Sequence, residues 1–564
     1  MLPRRGLFGS ATVVLLSSAA LLAPASGCSC DAGVEGTGGE GATQSGPGPS
    51  SGTANQGGSS GTFSTGSSTS TGPSDPCHVA DDLDALPPCE VKAPADAFDP
   101  VVQWAWTAPT QGNFYSGSLV TPLVGNFTDD DANGEINLCD VPDVLVEVFA
   151  PGATGAEATI YVLSGATGEQ EAAMNGVVDG NINPAFGDLD QDGLPEVVAA
   201  TPQGNVIIFE HDGTLKLTGA KGTWPTYGDF GGSANLGAYC HAFAIYDLDA
   251  DGSPEILGGF DVFDAGGQLL WTASAGLNDI PGEPFWCPTP TAADLDGDGK
   301  LEVIYGHAAY HHDGQLDWQV GGNPGHPHVA NFDDDPEPEV LVNTDQGISL
   351  IQHDGVVTFA NQRPSGEAPS ARCWGKPGVI HDFDGDGKAD LATGTCLNYS
   401  MYKVTTSLAT IWTQPVSDQS GLATGTAFDF LGDGIADAIY ADETTAYVFE
   451  GSSGMLELSV PRSSGTLVEY PVVADIDNDG SAEFIVVSNS PGGATGETLT
   501  VYRDAMDRWT PARRIWNQHA YHVTNVREDG TIPQNMKKSW QLLNTFRTNS
   551  QVEAGGNCEP PVPR

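Results

Sequence analysis

Aspartates recur in this chain at a spacing that suits a metal-binding loop. Between Asp188 and Glu196, aspartates stand at positions 1, 3 and 5, a glycine at position 6 and a glutamate at position 9. Carboxylates this close repel one another unless a cation lies between them, and Ca²⁺ prefers about six to eight oxygen ligands of this kind. The glycine permits the sharp turn that brings both halves of the loop around one centre. The spacing therefore predicts calcium coordination.

The motif occurs eight times, and successive copies start 37 to 59 residues apart, which is the size of one small supersecondary unit. The predicted metal ligands come from seven copies: Asp129, Asp131, Asn133, Asp140, Asp188, Asp190, Asp192, Glu196, Asp247, Asp249, Asp251, Glu255, Asp294, Asp296, Asp298, Glu302, Asn331, Asp333, Asp335, Glu339, Asp382, Asp384, Asp386, Asp390, Asp475, Asp477, Asp479 and Glu483. A solvated acidic turn between strands is the alternative interpretation for any single copy.

Three copies depart from the common pattern. The first follows a longer, EF-hand-like spacing with Asp140 at position 12, although no helical pattern flanks it. The copy that begins at Asn331 has Pro336 in place of the glycine, which weakens the predicted site. The copy that begins at Asp429 has Leu431 where the second acid belongs, so we expect it to be weak or empty.

The sequence around each loop is typical of β-strands. A short apolar segment precedes the loop, and a run such as EVVAA, EVIYG or EFIVV follows it. A third apolar run then ends in a Gly-rich turn, and a last strand often carries tryptophan, as in GGQLLW or GQLDW. Three or four antiparallel strands per repeat describe a blade, and blades repeated around an axis form a propeller. The predicted fold class is all-β, a seven- or eight-bladed β-propeller (eight favoured) with calcium loops, preceded by a disordered Gly/Ser-rich linker.

One further strand bears on how the ring closes. Residues Asp99–Trp106 look like the last strand of a blade, yet they precede the first repeat, and the eighth repeat lacks an obvious fourth strand. We therefore predict that this N-terminal strand completes the last blade, which would protect the edges of the ring.

The predicted domains are residues 1–27 as a signal peptide, 28–76 as a tether, 77–98 as a short lead-in with cysteines near its ends, 99–505 as the propeller and 506–564 as a C-terminal capping segment. The signal has Arg4 and Arg5 before an apolar stretch. Cys28 follows a box that resembles a lipoprotein cleavage site, so it is the predicted lipidation residue, with ordinary cleavage and secretion as the alternative. The tether is almost wholly Gly, Ser, Thr, Ala and Pro, a composition that cannot form a packed core.

The net charge restricts which partners the protein can bind, and the cysteine content indicates the compartment in which it is located. The chain has 74 acidic against 21 basic side chains and a formal charge of −53, which excludes nucleic acid as a partner and leaves a lipid anchor as the only membrane contact. The predicted location is the outer membrane or cell surface. Ten cysteines in an exported protein predict disulfides. Proximity in sequence suggests Cys77 with Cys89, and Cys373 with Cys396.

Loops such as DLDGDGKLEV, from Asp294 to Val303, resemble the FG-GAP and VCBS repeat families, the calcium-loop propellers typified by the integrin α-subunit head. The resemblance covers about Val101 to Asp504. It implies a seven- or eight-bladed propeller with Ca²⁺ in the loops that join the first two strands of the blades. The families include adhesion heads, lectins, components of surface machinery and a few enzymes, so the resemblance leaves function open.

The predicted function is binding or adhesion at the cell surface, toward a glycan or protein ligand, with several Ca²⁺ ions as cofactors. The alternatives are a polysaccharide lyase or other carbohydrate-active enzyme, and a structural subunit of a surface complex. A lyase needs a base and charge-neutralising cations, yet Lys and Arg are sparse in the propeller region, so no catalytic residue is predicted. The histidines considered for such a role are His307, His311, His312, His326 and His328. In the capping segment, the residues expected to pack against the last blade are Trp516, His519, Tyr521, His522 and Trp540.

Overall fold

The computed structural model describes residues 77–78 and 91–551, apart from 110–114, 150–155, 227–228, 230–238, 275–286, 323, 334, 419, 421, 468 and 492–495. The predicted signal peptide, Cys28 and the tether lie outside the described residues. Within the described part the protein is almost entirely β-structure, and its two helices, α1 (Ala371–Trp374) and α2 (Ser539–Leu542), are one turn each. None of the described helices has the length and apolar content that a membrane span requires.

Eight antiparallel sheets of four blade strands each form the eight blades of a propeller, which confirms the predicted fold class. Strands β1 (Pro100–Trp106) and β2 (Tyr115–Gly117) precede the first blade. Blade 1 contains β3 (Leu123–Gly125), β4 (Asp143–Phe149), β5 (Glu157–Ser164) and β6 (Gln170–Ala173), and the short β7 (Val178–Asp179) and β8 (Ile182–Asn183) follow it. Blade 2 contains β9 (Ala185–Gly187), β10 (Glu196–Ala200), β11 (Asn205–Phe209) and β12 (Leu215–Lys221). Blade 3 contains β13 (His241–Tyr246), β14 (Glu255–Gly258), β15 (Asp261–Phe263) and β16 (Leu269–Thr272).

The remaining blades follow the same order. Blade 4 contains β17 (Thr291–Ala293), β18 (Glu302–Ile304), β19 (Ala308–Tyr310) and β20 (Leu316–Gln319). Blade 5 contains β21 (His326–Ala330), β22 (Glu339–Thr344), β23 (Gly347–Gln352) and β24 (Val357–Gln362). Blade 6 contains β25 (Val379–His381), β26 (Asp390–Gly394), β27 (Asn398–Val404) and β28 (Leu408–Pro415). Blade 7 contains β29 (Gly425–Phe428), β30 (Asp437–Ala441), β31 (Thr445–Phe449) and β32 (Leu456–Pro461). Blade 8 contains β33 (Val472–Ala474), β34 (Glu483–Val487) and β36 (Leu499–Asp504), with β35 (Asn489–Pro491) before β36.

The ring closes through the N-terminal strand, as predicted. Strand β1 pairs antiparallel with β36 from Pro100 opposite Asp504 to Trp106 opposite Leu499, so it is the fourth strand of blade 8. Nearby, β2 pairs with β35 and adds a second contact between the two ends of the ring. Strand β1 therefore covers the edge of β36 that would otherwise be unpaired.

Second strands are buried along most or all of their length. Every residue of β4, β10, β22, β26, β30 and β34 is buried, which explains why these runs are apolar without alternation. First strands are also buried, whereas fourth strands carry exposed residues. The first strands therefore lie at the inner edge of the blades and the fourth strands at the outer edge.

Tryptophans of the fourth strands join neighbouring blades. Trp318 in blade 4 donates its indole N–H to the carbonyl oxygen of His353 in blade 5, at 2.9 Å. It also covers Gly355, whose φ is +84° and whose Cβ, if present, would lie 2.9 Å from the Trp318 side chain. The same contact between a tryptophan and the next blade is made by Trp104, Trp271 and Trp412. The glycine-rich turns are thus required by packing between blades as well as by backbone conformation.

The C-terminal segment lies against the inner strands rather than on the last blade alone. Its first stretch contacts blades 1, 2 and 3 with consecutive residues. Trp516 forms a β-bridge with blade 1, the Asn517 carbonyl accepts an N–H from blade 2, and the Gln518 side chain accepts one from blade 3. Tyr470, which precedes blade 8, donates its hydroxyl to the His519 carbonyl oxygen.

A second stretch of this segment contacts the other side of the ring. Asn544 exchanges two side-chain hydrogen bonds with the backbone of Asn331 in blade 5, at 2.8 and 2.7 Å. Phe546 forms a β-bridge with blade 6, Thr548 donates to a carbonyl of blade 7, and Asn549 donates to one of blade 8. The segment is therefore fastened to the inner strands of six blades and to the acidic loop of blade 5.

The arginines of this segment contact groups of the segment itself and of the propeller. Arg513 is fully buried, donates to Glu528 at 2.8 Å and also reaches two backbone carbonyls of the same segment. Arg514 shares the Glu528 carboxylate, and Arg547 donates to the Gly378 carbonyl of the propeller. Trp516 stacks on a tyrosine of its own segment with ring centroids 4.4 Å apart, whereas the sequence predicted packing against the last blade.

Three disulfides join described residues. Cys373–Cys396 was predicted and is confirmed, and Cys240–Cys287 joins blade 3 to blade 4. The predicted pairing of Cys77 with Cys89 is wrong, because Cys77 is bonded to Cys139 in the first acidic loop. A backbone hydrogen bond from Leu138 to the Cys77 carbonyl holds the lead-in there, a contact that sequence proximity does not reveal. Disulfides are typical of exported proteins.

Candidate metal loops

All eight acidic motifs lie in the same place, the loop that joins the first and second strands of a blade. Backbone N–H groups orient the carboxylates at both ends of the loop. In blade 3, Asp247 Oδ2 accepts the Gly252 N–H at 2.7 Å, and Glu255 Oε2 accepts the Leu248 N–H at 2.9 Å. The bond to the final glutamate recurs in blades 2, 4, 5 and 8. In each such glutamate the backbone therefore fixes one carboxylate oxygen, Oε2, and the other oxygen, Oε1, takes no part in this hydrogen bond.

The folded loops bring the predicted ligands together. Ligand atoms lie within 4.8 Å of one another in Asp129/Asp131/Asp140, Asp188/Asp190/Glu196, Asp247/Asp249/Asp251, Asp294/Asp296/Asp298 and Asp296/Glu302/His311. Several acidic clusters could thus hold a metal ion, and carboxylate oxygens are the ligand type that calcium and magnesium prefer.

Buried oxygens without a donor mark three of these loops. Among the described residues, no hydrogen-bond donor reaches Oε1 of Glu339, either carboxylate oxygen of Asp390, or Oε1 of Glu483, and all three side chains are 0% exposed. A buried carboxylate without a partner is costly. Burial, followed by repulsion from neighbouring loop acids, raises the pKa of Glu339 and of Asp390 to about 7. A cation in these loops would pair the orphaned oxygens, so the residues present fit a divalent metal ion.

Blade 1 holds a further acid that lies outside the sequence motif. Asp143 lies opposite Gly125 in the strand ladder, the place that Glu196 has opposite Gly187 in blade 2. Its carboxylate accepts the Phe127 N–H at 2.8 Å, as the final glutamates do in other blades. Burial raises the pKa of Asp143 to about 9. The long insertion in this loop separates Asp143 from the first aspartates, so only the strand register identifies it.

The blade 7 loop contacts the lead-in. The Ala93 N–H donates to the carbonyl oxygen of Leu431, the residue that replaces an acid in this copy, at 2.9 Å. Phe98 packs against Phe430 with ring centroids 5.7 Å apart. Asp429 still accepts the backbone N–H of the loop glycine at 2.8 Å. This loop keeps the turn geometry of the others but serves as a docking point for the chain before the propeller.

The loop that begins at Asn331 is anchored to the C-terminal segment. Its Pro336 carbonyl oxygen accepts hydrogen bonds from Trp540 at 3.3 Å and from Gln541 at 3.0 Å. Asp335 accepts the Glu337 N–H at 3.1 Å, so the turn forms although the usual glycine is absent.

Basic side chains contact loop acids in blades 2, 4 and 6. Lys216 Nζ lies 2.7 Å from Asp190 and 2.8 Å from Glu196 in blade 2. Lys403 contacts two loop aspartates of blade 6 at 2.5 and 2.6 Å. In blade 4, His311 Nδ1 lies 3.1 Å from Glu302, and Lys538 lies 3.2 Å from the first aspartate. Blades therefore differ in how their loop charges are balanced.

The other histidines considered for acid–base chemistry have packing contacts. His326 and His328 lie on the inner strand β21 and are 1% and 0% exposed. His326 Nδ1 lies 2.9 Å from the Thr289 hydroxyl, and His328 Nε2 accepts the Gly378 N–H at 2.7 Å. Burial lowers the pKa of His326 to about 3. His312 contacts Lys300 at 3.1 Å, on the rim of the blade 4 loop.

A groove of about 360 Å³ opens beside the acidic loops of blades 4 and 5. Its lining includes Asp296, Asp317, Trp318, His353, Asp354 and Lys538. The groove thus combines carboxylates, an imidazole, an ammonium group and the edge of an indole ring next to two candidate metal loops.

Comparison with known proteins agrees with this architecture. A family model described as an FG-GAP-like repeat matches residues 188–258 and 429–486, so the chain contains FG-GAP-like repeats. The V. cholerae biofilm matrix protein Bap1 matches with a TM-score of 0.65 and 21% identity, over 82% of this chain and 100% of that chain. The exotype rhamnogalacturonan lyase YesX matches with a TM-score of 0.50 and 15% identity, over 82% and 83% of the two chains. Both likenesses show the fold. No curated protein matches the chain.

Proposed function

We propose that this eight-bladed propeller of FG-GAP-like repeats is a calcium-loaded binding module at the cell surface. The observation that carries the proposal is the set of buried carboxylate oxygens in the loops of blades 5, 6 and 8 that have no donor among the described residues. Together with the clustered acids of blades 1 to 4, they form a repeated arrangement of oxygen ligands on one face of the ring.

Calcium would be held by the loop acids at positions 1, 3, 5 and 9, with Asp143 added in blade 1. When bound, the ion supplies positive charge that replaces repulsion among carboxylates by coordination. The chain's own contribution is to orient these acids, because backbone N–H groups already hold one oxygen of each final glutamate. Loops fixed in this way present a rigid surface for a ligand.

The ligand we propose is a glycan of the extracellular matrix. The groove between blades 4 and 5 supports this choice, because Asp317, Asp354 and His353 offer hydrogen-bond acceptors and donors beside the Trp318 edge. Bap1, a structural neighbour, is described as a biofilm matrix protein. In the same proposal, Cys28 carries the lipid anchor and residues 28–76 hold the propeller away from the membrane.

The test is glycan-array binding of the full chain with calcium and after chelation, with Asp354→Asn as the groove variant and Glu169→Gln, an exposed acid of blade 1, as its control. We expect binding that needs calcium and falls at least fivefold in Asp354→Asn, while bound calcium stays unchanged. Binding that is indifferent to chelation and to the groove variant would contradict the proposal.

A lyase is the second candidate, because the YesX match reaches a TM-score of 0.50. The assay is ultraviolet absorbance of unsaturated uronate on rhamnogalacturonan. Turnover that rises in proportion to protein concentration would show that the protein acts as an enzyme rather than as a binding module.

A further inference from the structure

Fourth strands carry a β-bulge at a fixed place next to the acidic loop. In all eight blades, the ladder between the third and the outer strand skips a residue of the outer strand, and this residue falls just after the turn between the two strands except in blades 6 and 8. Bulges redirect a side chain. The bulged residues of blades 1 to 8 are, in order, Glu171, Lys216, Leu270, Asp317, Thr358, Ile411, Glu457 and Gln103.

Contacts show that this position faces the loop. Lys216 reaches Asp190 and Glu196 in blade 2. Gln103 donates to Asp477 in blade 8 at 2.9 Å, and Glu171 accepts the hydroxyl of a threonine in the blade 1 loop at 2.9 Å. The bulged residue is therefore the variable group beside an otherwise repeated acidic loop.

Blade 2 fills this position with a cation. The Lys216 ammonium makes charge-assisted hydrogen bonds of 2.7 and 2.8 Å, the second to Glu196 Oε1, while Glu196 Oε2 accepts the Leu189 N–H. Both oxygens of the final acid are thus satisfied by the chain itself. This differs from blades 5 and 8, where Oε1 of Glu339 and of Glu483 has no donor among the described residues.

In blade 6 a lysine on the third strand, rather than on the outer strand, contacts the loop acids. Lys403 lies on the third strand, directly opposite Asp390 in the ladder, and its ammonium contacts Asp384 and Asp386. Its charge offsets one of the loop carboxylates, although the Asp390 oxygens keep no donor among the described residues. Blade 3 has the opposite arrangement, because its bulged residue is the exposed, uncharged Leu270.

We propose that Lys216 is a built-in counter-ion that takes the place of a metal ion in blade 2 and that Lys403 does so in part in blade 6, so that both loops bind calcium more weakly than the loop of blade 3. The inference rests on the proposed binding of calcium by the loops. A divalent ion that enters blade 2 must displace an ammonium group from two carboxylates and meets its positive charge. In blade 3 it meets four acids and no described basic side chain.

The experiment exchanges the bulged residues between blades in the full chain. Lys216→Met removes the counter-ion of blade 2, and Leu270→Lys installs one in blade 3. Native mass spectrometry and calorimetric titration with CaCl₂ count the ions and measure their affinities. We expect Lys216→Met to gain one tightly bound ion, with at least tenfold higher affinity for that loop, and to melt at a lower temperature in chelator. Leu270→Lys is expected to lose one ion.

Lys221→Met is the matched control, because Lys221 ends the same strand and forms no salt bridge with a carboxylate in the part of the chain that the structure describes. Lys403→Met repeats the test in blade 6 and decides the question if the blade 2 variant does not fold. If the wild-type protein binds calcium and all three exchange variants bind the same number of ions, this inference alone is overturned. No calcium in the wild-type protein or in Lys216→Met overturns the proposed function and this inference together.

Discussion

Replacing Asp249 by asparagine should change the stability of the protein in opposite directions with and without calcium. Asp249 belongs to the blade 3 loop, where ligand atoms of Asp247, Asp249 and Asp251 lie within 4.8 Å of one another. Two unit charges at this distance repel by about 3 kcal/mol at an effective dielectric constant near 20. Because the Asp249 side chain is half-buried and water screens it, we expect a net relief of about 1 kcal/mol in the calcium-free protein.

In calcium the same substitution removes a ligand. Sites of extracellular modules bind calcium with dissociation constants of about 10⁻⁴ to 10⁻³ M. One such site stabilises the folded state by about 1.4 to 2.7 kcal/mol at about 10 mM calcium. Asp249→Asn should therefore gain about 1 kcal/mol in chelator and, once this relief is subtracted from the lost binding energy, lose about 0.4 to 1.7 kcal/mol in calcium.

The assay is a pair of thermal melts, in calcium and in chelator, on Asp249→Asn and on the Glu169→Gln control. For a folded unit of this size, 1 kcal/mol corresponds to about 1 °C, so replicate melts must resolve a few tenths of a degree. The control should shift by the same small amount in both conditions. A shift of Asp249→Asn with the same sign in calcium and in chelator would refute the reasoning, because the acid would then have no part in a cation site.

Three further predictions concern the fold. Gly355→Ala should lower the free energy of unfolding by about 2 to 4 kcal/mol, which is more than the effect of Gly366→Ala. Both glycines have positive φ, but only Gly355 faces an indole ring. Equal decreases in melting temperature for the two variants would contradict this prediction. Burial lowers the pKa of His241 to about 3, below the unfolded value of about 6.5, so between these pH values the unfolded chain binds a proton that the folded protein does not, and stability falls as pH falls. The wild type should lose about 2 kcal/mol more than His241→Phe between pH 7 and 5, and parallel denaturation profiles would exclude this effect. Arg513→Met should lower the free energy of unfolding by about 3 to 5 kcal/mol, because it removes an arginine partner of a buried carboxylate. Substitution of the half-exposed Arg503 by methionine should lower it by at most about 1 kcal/mol. Chemical denaturation measures both values.

The repeat pattern was sufficient to predict the architecture. Each blade is built from local antiparallel neighbours, so the apolar runs, the glycine turns and the acidic loops follow one another in the sequence as they do in the sheet. Strand β1 could be assigned to the last blade because the eighth repeat lacked a fourth strand. The tryptophans of the outer strands were noted as a pattern, and the structure adds their reason, which is contact with a glycine turn of the next blade.

The path of the C-terminal segment could not be predicted, because its partners are far away in sequence. Asn517 and Phe186 are 331 residues apart, and Thr548 and Ala427 are 121 apart. Such contacts leave no periodicity in the chain. The same limit applies to Asp143 and to Lys216, whose positions at the loops depend on strand register and on a bulge rather than on distance from the aspartates.

The most direct test of the account is the calcium content of the purified full chain, measured by mass spectrometry together with thermal melts before and after chelation. Loops without a built-in ammonium should hold several ions per chain, and losing them should lower the melting temperature by about 10 °C if about five sites each contribute about 2 kcal/mol. A chain that binds no calcium and melts at the same temperature in chelator would contradict the account, and the aspartates would then be solvated turns between strands.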